Sequence, residues 1–305
     1  MTARSWSRRS TLAALALGPT GLFLSRWAAA APAAAALGAP KGALVCVFLR
    51  GAADGLNIVV PHADSEYYRL RPTIGVPRPG RPGGAIDLDG RFGLHPRLAA
   101  LKPAYDAHQL ALVHAVGSPH PTRSHFEAQD YLETGAVGMR SVRQGWLSHY
   151  LTLQVPASDA GLRAVALSER TPLALRGYPE AIALRNLRQF HVSAEPPLRT
   201  VLTDGFAQLY AEGSAPAARS GRHALEVADR LRRIARAPYT PDHGASYAPE
   251  AQPFADVARL IKADVGLETA WIDLGGWDTH KQQGASEQGE LPRRLDQLGK
   301  ALAAF

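Results

Sequence analysis

The chain has very little cysteine: Cys46 is the only one in 305 residues, which excludes any disulfide within the chain. Cys46 also sits inside an apolar run, so it reads as a buried, inert thiol rather than a nucleophile or ligand. Long hydrophobic runs are missing too. The best candidate, Leu12 to Leu24, is interrupted by Gly18, Pro19 and Gly21. It falls short of the ~20 apolar residues that a membrane span needs, so no stable span is expected. Acidic residues are absent before Pro32, whereas Arg4, Arg8, Arg9 and Arg26 all lie there. Those four account for much of the formal charge of +7; without them, 30 basic residues face 27 acidic ones. No basic patch is interleaved with aromatics, which argues against nucleic acid as a partner.

What the first residues do contain is an export signal. Ser7-Arg8-Arg9-Ser10-Thr11-Leu12 is a twin-arginine pattern; the weakly apolar run follows, then small-residue cleavage sites between Ala28 and Ala36. Residues 1–36 therefore read as a signal peptide and residues 37–305 as the exported domain. The twin-arginine translocase is the expected partner during export, and the periplasm or exterior the expected destination. At 46% hydrophobic the remainder can bury a sizeable core.

The domain is organised around Ala43 to Asn57. Seven apolar residues, Ala43 to Leu49, suit a strand buried on both faces. The strand stops at Arg50-Gly51, and Asp54 follows in a loop between Gly51 and Gly55. Leu94, Leu98, Leu101 and Tyr105 share one helical face and lead into Gln109 to Val116, which reads as a second buried strand. Strand, loop, helix, strand is the grammar of a parallel α/β sheet. Helical faces follow at Leu198 to Leu209, Ala224 to Ile234 and Phe254 to Ile261. A further core strand, Thr269 to Leu274, ends in Gly275-Gly276-Trp277-Asp278-Thr279-His280. The last helix, Leu291 to Phe305, meets the end of the sequence without a glycine or proline stop. It reads either as the crossover helix of a domain cut short or as a helix docked on the sheet.

Ligands of open α/β sheets gather at the carboxyl ends of the strands. Three such ends carry polar groups: Asp54, the loop with His120, Thr122, Ser124 and His125, and Asp278 with His280. Carboxylate and imidazole hold zinc, manganese and similar ions in hydrolytic sites. Alternate residues share a face in extended chain, so Asp-x-His can present both side chains together. Each element has a plainer reading. Asp54 suits turn chemistry, and Ser124, with Glu127 three residues on, forms a capping box at the start of a helix near Phe126.

Four segments together resemble the exported bacterial family called domain of unknown function 1501: Arg50-Gly51-Ala52-Ala53-Asp54-Gly55-Leu56-Asn57, Phe92-Gly93-Leu94-His95-Pro96, Ser124-His125-Phe126-Glu127-Ala128-Gln129-Asp130, and Gly276-Trp277-Asp278-Thr279-His280. The resemblance runs from about Ala39 onward. It implies a fold similar to the alkaline phosphatase and sulfatase superfamily, a three-layer sandwich with a central, mostly parallel sheet and helices on both faces. It further implies that Asp54, Asp278 and His280 ligate a divalent metal (zinc, manganese or calcium). Thr122 or Ser124 would stand in the nucleophile region, with His120 and His125 beside them. Two departures accompany it. The Cys-x-Pro-x-Arg of sulfatases is absent, and no Asp-His-Gly follows His280; the one Asp-His pair, Asp242-His243, lies in a Pro/Gly-rich loop. The resemblance thus favours a domain incomplete at its C-terminus. The expected function is metal-dependent hydrolysis of phosphate or sulfate esters in the complete form; the alternatives are a non-catalytic exported binding or assembly protein, or an inactive fragment.

Overall fold

The computed structural model describes residues 42–154, 162–189, 194–211, 216–242 and 245–305. Residues 1–36, read from the sequence as a signal peptide, and His243 lie outside the described residues. The apolar run after Gly42 becomes β1 (Leu44–Leu49). A single turn, α1 (Gly55–Ile58), then leads to β2 (Val59–Val60) and α2 (Ser65–Leu70). Next come β3 (Ile86–Asp87), β4 (Gly93–Leu94), a 3-10 turn at Pro96–Leu101, and α3 (Lys102–Asp106). The middle of the chain carries α4 (His125–Thr134), α5 (Trp146–Leu153), β5 (Ala164–Leu167), a 3-10 turn at Leu173–Leu175, and β6 (Ile182–Leu184). Helices α6 (Pro196–Ala211), α7 (Pro216–Arg236) and α8 (Gln252–Lys262) precede β7 (Thr269–Leu274), and α9 (Glu290–Ala304) follows it.

Strands β1, β7, β5 and β6 form one sheet in that order, and every pair in it is parallel. The fold is α/β: each parallel pair needs a crossover connection, which helices supply except between β5 and β6, where the 3-10 turn at Leu173–Leu175 lies in it. A smaller antiparallel sheet has the order β2-β4-β3. In the larger sheet Leu44 stands opposite Thr269 and Leu49 opposite Leu274, so Arg50 and Gly275 emerge level at one edge.

On one face of this sheet Ala164, Ala166 and Trp271 pack with Leu147 and Leu151 of α5 and with Ala174 and Leu175. Leu147 and Leu151, four residues apart on one helical stripe, are fully buried. Each such burial contributes about 1.5–3 kcal/mol. Val165, Ala270 and Ile272, which alternation turns to the opposite face, are fully buried as well. Helix α9 buries Leu291, Leu295 and Leu298 and approaches the 3-10 turn at Gly299. A Cβ there would lie 3.1 Å from Leu98 Cδ2, so glycine permits the close contact.

Two segments differ from the sequence reading. The helical face from Leu94 to Tyr105 is divided among β4, the 3-10 turn and α3, with non-helical backbone at Leu98. Pro96 starts the turn, and Pro103, which lacks an N–H, sits at the start of α3. Gln109 to Val116, read as a buried strand, joins neither sheet. Val113 and Val116 are exposed, and positive φ at His108 and Ala115 interrupts the extended backbone at either end. Strand-like composition yields a strand only where a ladder partner lies alongside.

Candidate functional site

The parallel register of β1 and β7 assembles the site. Arg50 N–H donates to Leu274 O (2.8 Å), and Trp277 N–H donates to Arg50 O (3.1 Å), so the loop after β7 folds over the end of β1. Gly51, at φ +119, makes this possible: a Cβ there would sit 2.5 Å from the Asp278 nitrogen. The Arg50 side chain ties in a third element. Its Nε donates to Asp273 Oδ1 (2.9 Å), and its Nη1 donates to Glu133 Oε1 (2.5 Å) and Gln129 Oε1 (3.1 Å), both on α4. Burial lowers the Arg50 pKa, but bonds and charge from Glu133 and Asp273 outweigh this and raise it overall. Glu133, whose side chain is only 3% exposed, also accepts from Ala174 N–H at 3.0 Å. A cavity of about 450 Å³ opens beside this hub, with Arg50, Glu133, Ser168, Arg170 and Asp273 among its walls.

With α4 fixed at Glu133, its first residue, His125, lies about 12 Å away along the helix axis. There it meets the β7 loop. Asp278 Oδ1 is 3.3 Å from His125 Nε2 and 2.7 Å from His280 Nε2. One donor atom from each of the three residues lies within 4.8 Å of the other two. Asp278 and His280 are exposed and His125 is half-buried, so the cluster is open to solvent.

Asp54 stands apart from this cluster but is joined to it. Its backbone carbonyl starts α1, accepting from Asn57 and Ile58 N–H at 3.0 Å each. Its Oδ2 accepts from Arg71 Nη1 (2.6 Å) and from Gln283 Nε2 (2.7 Å). Thr279 Oγ1, between the two cluster residues Asp278 and His280, donates to Gln283 Oε1 (3.1 Å). Gln283 therefore bridges Asp54 to the cluster.

The hydroxyls of the third element face their own helix. Ser124 Oγ accepts from Glu127 N–H (3.4 Å) as the cap of α4. Thr122 Oγ1 donates to Glu127 Oε2 (2.5 Å), and Arg140 pairs with Glu127 as well. His120 Nδ1 accepts from Thr122 N–H (3.2 Å), and its ring stands edge-on to Tyr131 at 4.9 Å. Among the described residues no hydrogen bond joins His120, Thr122 or Ser124 to Asp278 or His280. Of the seven residues singled out from the sequence, the structure thus brings together His125, Asp278 and His280, with Asp54 one side chain away.

Sequence reasoning missed the residues that hold these in place. Arg50 carried a signal, since it ends one strand opposite the Asp273 end of another. Glu133, Arg71 and Gln283 carried none, because their partners are 83, 17 and 229 residues away. A family model described as protein of unknown function (DUF1501) matches residues 41–305. Comparison with curated proteins and with solved structures finds no match.

Proposed function

The chain belongs to the DUF1501 family, and from that premise we propose that it is an exported, metal-dependent hydrolase of phosphate or sulfate esters. One observation carries the reading: His125, Asp278 and His280 converge to within 4.8 Å at the carboxyl edge of a parallel sheet. Two imidazoles and a carboxylate are the donor set of catalytic zinc sites, which keep further positions open, and they suit manganese as well. Calcium, which prefers oxygen ligands, fits this set least. When bound, the ion would polarise an ester oxygen and lower the pKa of a bound water.

The chain's own residues supply the rest. Arg50 fixes α4, and so His125, against the loop that carries Asp278 and His280. Asp54 has one oxygen engaged by Arg71 and Gln283, which leaves Oδ1 as the oxygen able to ligate. Thr122 and Ser124 stand at the start of α4, where backbone N–H groups favour an anionic substrate. The parallel strand order and the site at its carboxyl edge support an alkaline phosphatase-like or sulfatase-like fold. The twin-arginine pattern supports export to the periplasm.

The test is metal analysis of the purified protein beside Asp278→Asn and His280→Ala. The expected result is about one bound zinc or manganese per chain, with affinity in the variants lower by at least the 10–100-fold typical for losing an outer-shell partner. Metal-free wild type, or variants that bind as well, would overturn the reading. A second reading, a non-catalytic binding protein on the same fold, is favoured by one observation: both hydroxyls at the start of α4 are engaged by Glu127, Ser124 as the cap and Thr122 as a donor to its carboxylate. Turnover of p-nitrophenyl phosphate or sulfate, lost in Asp278→Asn, rules against it.

A further inference from the structure

The Leu94-His95-Pro96 segment has no part in the reading above, yet His95 is fully buried and makes four hydrogen bonds. Its N–H donates to Ile58 O (3.0 Å), and its carbonyl accepts from Leu98 N–H (2.8 Å). Ring Nδ1 accepts from Arg97 N–H (3.1 Å), capping the 3-10 turn that Pro96 begins. Ring Nε2 lies 2.8 Å from Ala285 O. A carbonyl can only accept and a backbone N–H can only donate, so the ring is neutral with its proton on Nε2.

Ala285 belongs to the loop between Asp278 and α9, and this loop acts as a strap across the site. One half carries His280, Thr279 and the Gln283 that bridges to Asp54. The other half is pinned at two carbonyls, by His95 at Ala285 and by Arg97 Nη2 at Glu287 O (2.9 Å). Gly83, at φ +64, leaves room for Ser286, whose Oγ would lie 2.6 Å from a Cβ there.

We propose that His95 is a positioning residue for the His125–Asp278–His280 centre, acting through its hydrogen bond to the strap; the inference rests on the metal-centre reading. Two substitutions separate this role from a purely local one. In His95→Gln the side-chain amide nitrogen takes the place of Nε2 and can still donate to Ala285 O. In His95→Asn the shorter side chain's oxygen takes the place of Nδ1 and caps Arg97, but leaves the strap without its donor.

The experiment compares wild type, His95→Gln, His95→Asn, and Leu147→Ala as a destabilised control that does not touch the strap. The first readout is tryptic cleavage after Lys281, exposed in the strap. The second is Co²⁺ affinity from the visible absorption of the bound ion. In His95→Asn, cleavage after Lys281 is expected to be about tenfold faster, the factor given by losing roughly one hydrogen bond's net worth, and Co²⁺ about 10–100-fold more weakly bound. His95→Gln and Leu147→Ala are expected to follow wild type in both. Co²⁺ binding that is equal in wild type and His95→Asn overturns the inference alone. Wild type that binds no Co²⁺ overturns the metal-centre reading, and the inference with it.

Discussion

At Gly51 the backbone takes φ +119, and a side chain would place its first carbon 2.5 Å from the Asp278 nitrogen. Gly51→Ala therefore meets both backbone strain and a steric clash. We expect a stability loss of about 1–3 kcal/mol, read as a lower urea midpoint, together with weaker metal binding as Asp278 is displaced. His95 makes a pH prediction with a definite sign. Burial holds its pKa below the ordinary value of 6.5, so the unfolded chain takes up the proton first as pH falls. The stability that the neutral ring contributes is complete above pH ~6.5 and is lost below it. The stability difference between wild type and His95→Gln should thus shrink from pH 7.5 to pH 5.5; a difference that grows with acid would contradict the assignment. Cys46 responds to the same cause in the opposite sense, since burial pushes its thiol up to about 11. At pH 8 its thiolate is on the order of a hundredfold scarcer than that of a free thiol. Disulfide reagents should therefore label this half-buried thiol more slowly in the folded protein than after denaturant is added.

At the scale of elements, one side chain couples three of them: Arg50 at the end of β1 holds Asp273 of β7 and Glu133 of α4. Arg50→Ala leaves the Glu133 carboxylate, 3% exposed, without its cation. Breaking such a buried pair from one side costs about 3–5 kcal/mol. Glu133→Gln in the same chain should recover part of that loss, which a double-mutant cycle in urea would measure. Much of this element layer was legible in the sequence. β1 and β7 are short, mostly apolar runs rich in β-branched and aromatic residues, and the stripes of α8 and α9 repeat at helical spacing. The capping box at Ser124 marked the start of α4 within a residue. The 3-10 turn at Pro96 was hidden because Leu94, Leu98 and Leu101 keep helical spacing while two prolines divide the backbone beneath them. Gln109 to Val116 misled for a different reason, since composition records what a segment could pair with and not whether a partner is beside it. In the site, Asp54, His125, Asp278 and His280 stood out by residue type and place. The ligand-type convergence of His125 with Asp278 and His280 depends on the Arg50–Glu133 tie, which no local pattern records.

For the molecule as a whole, the side of the larger sheet that ends at β1 sets its behaviour in solution. Among the described residues β1 pairs with β7 alone, and all six of its residues are half-buried. The amides of Leu44 and Arg50 turn toward β7, donating to Glu268 O and Leu274 O at 2.9 and 2.8 Å. By alternation those of Val45, Val47 and Leu49 turn away, and among the described residues no backbone bond engages them. An apolar edge strand with free amides is a template for pairing with another chain, and Leu44–Leu49 lacks the lysines and prolines that usually blunt such edges. The protein should therefore self-associate as its concentration rises, in a way that salt weakens little, because backbone pairing and apolar contact drive it. Val47→Pro is the decisive variant. It removes an N–H that makes no ladder bond, which an edge strand tolerates, and it blocks strand addition. Light scattering should show association falling in Val47→Pro while the unfolding free energy from urea titration stays within about 1 kcal/mol of wild type, the size of ordinary single-site effects. If association persists unchanged in that variant, its origin lies elsewhere on the surface, with the exposed Leu198, Val201 and Leu209 of α6 the next face to test.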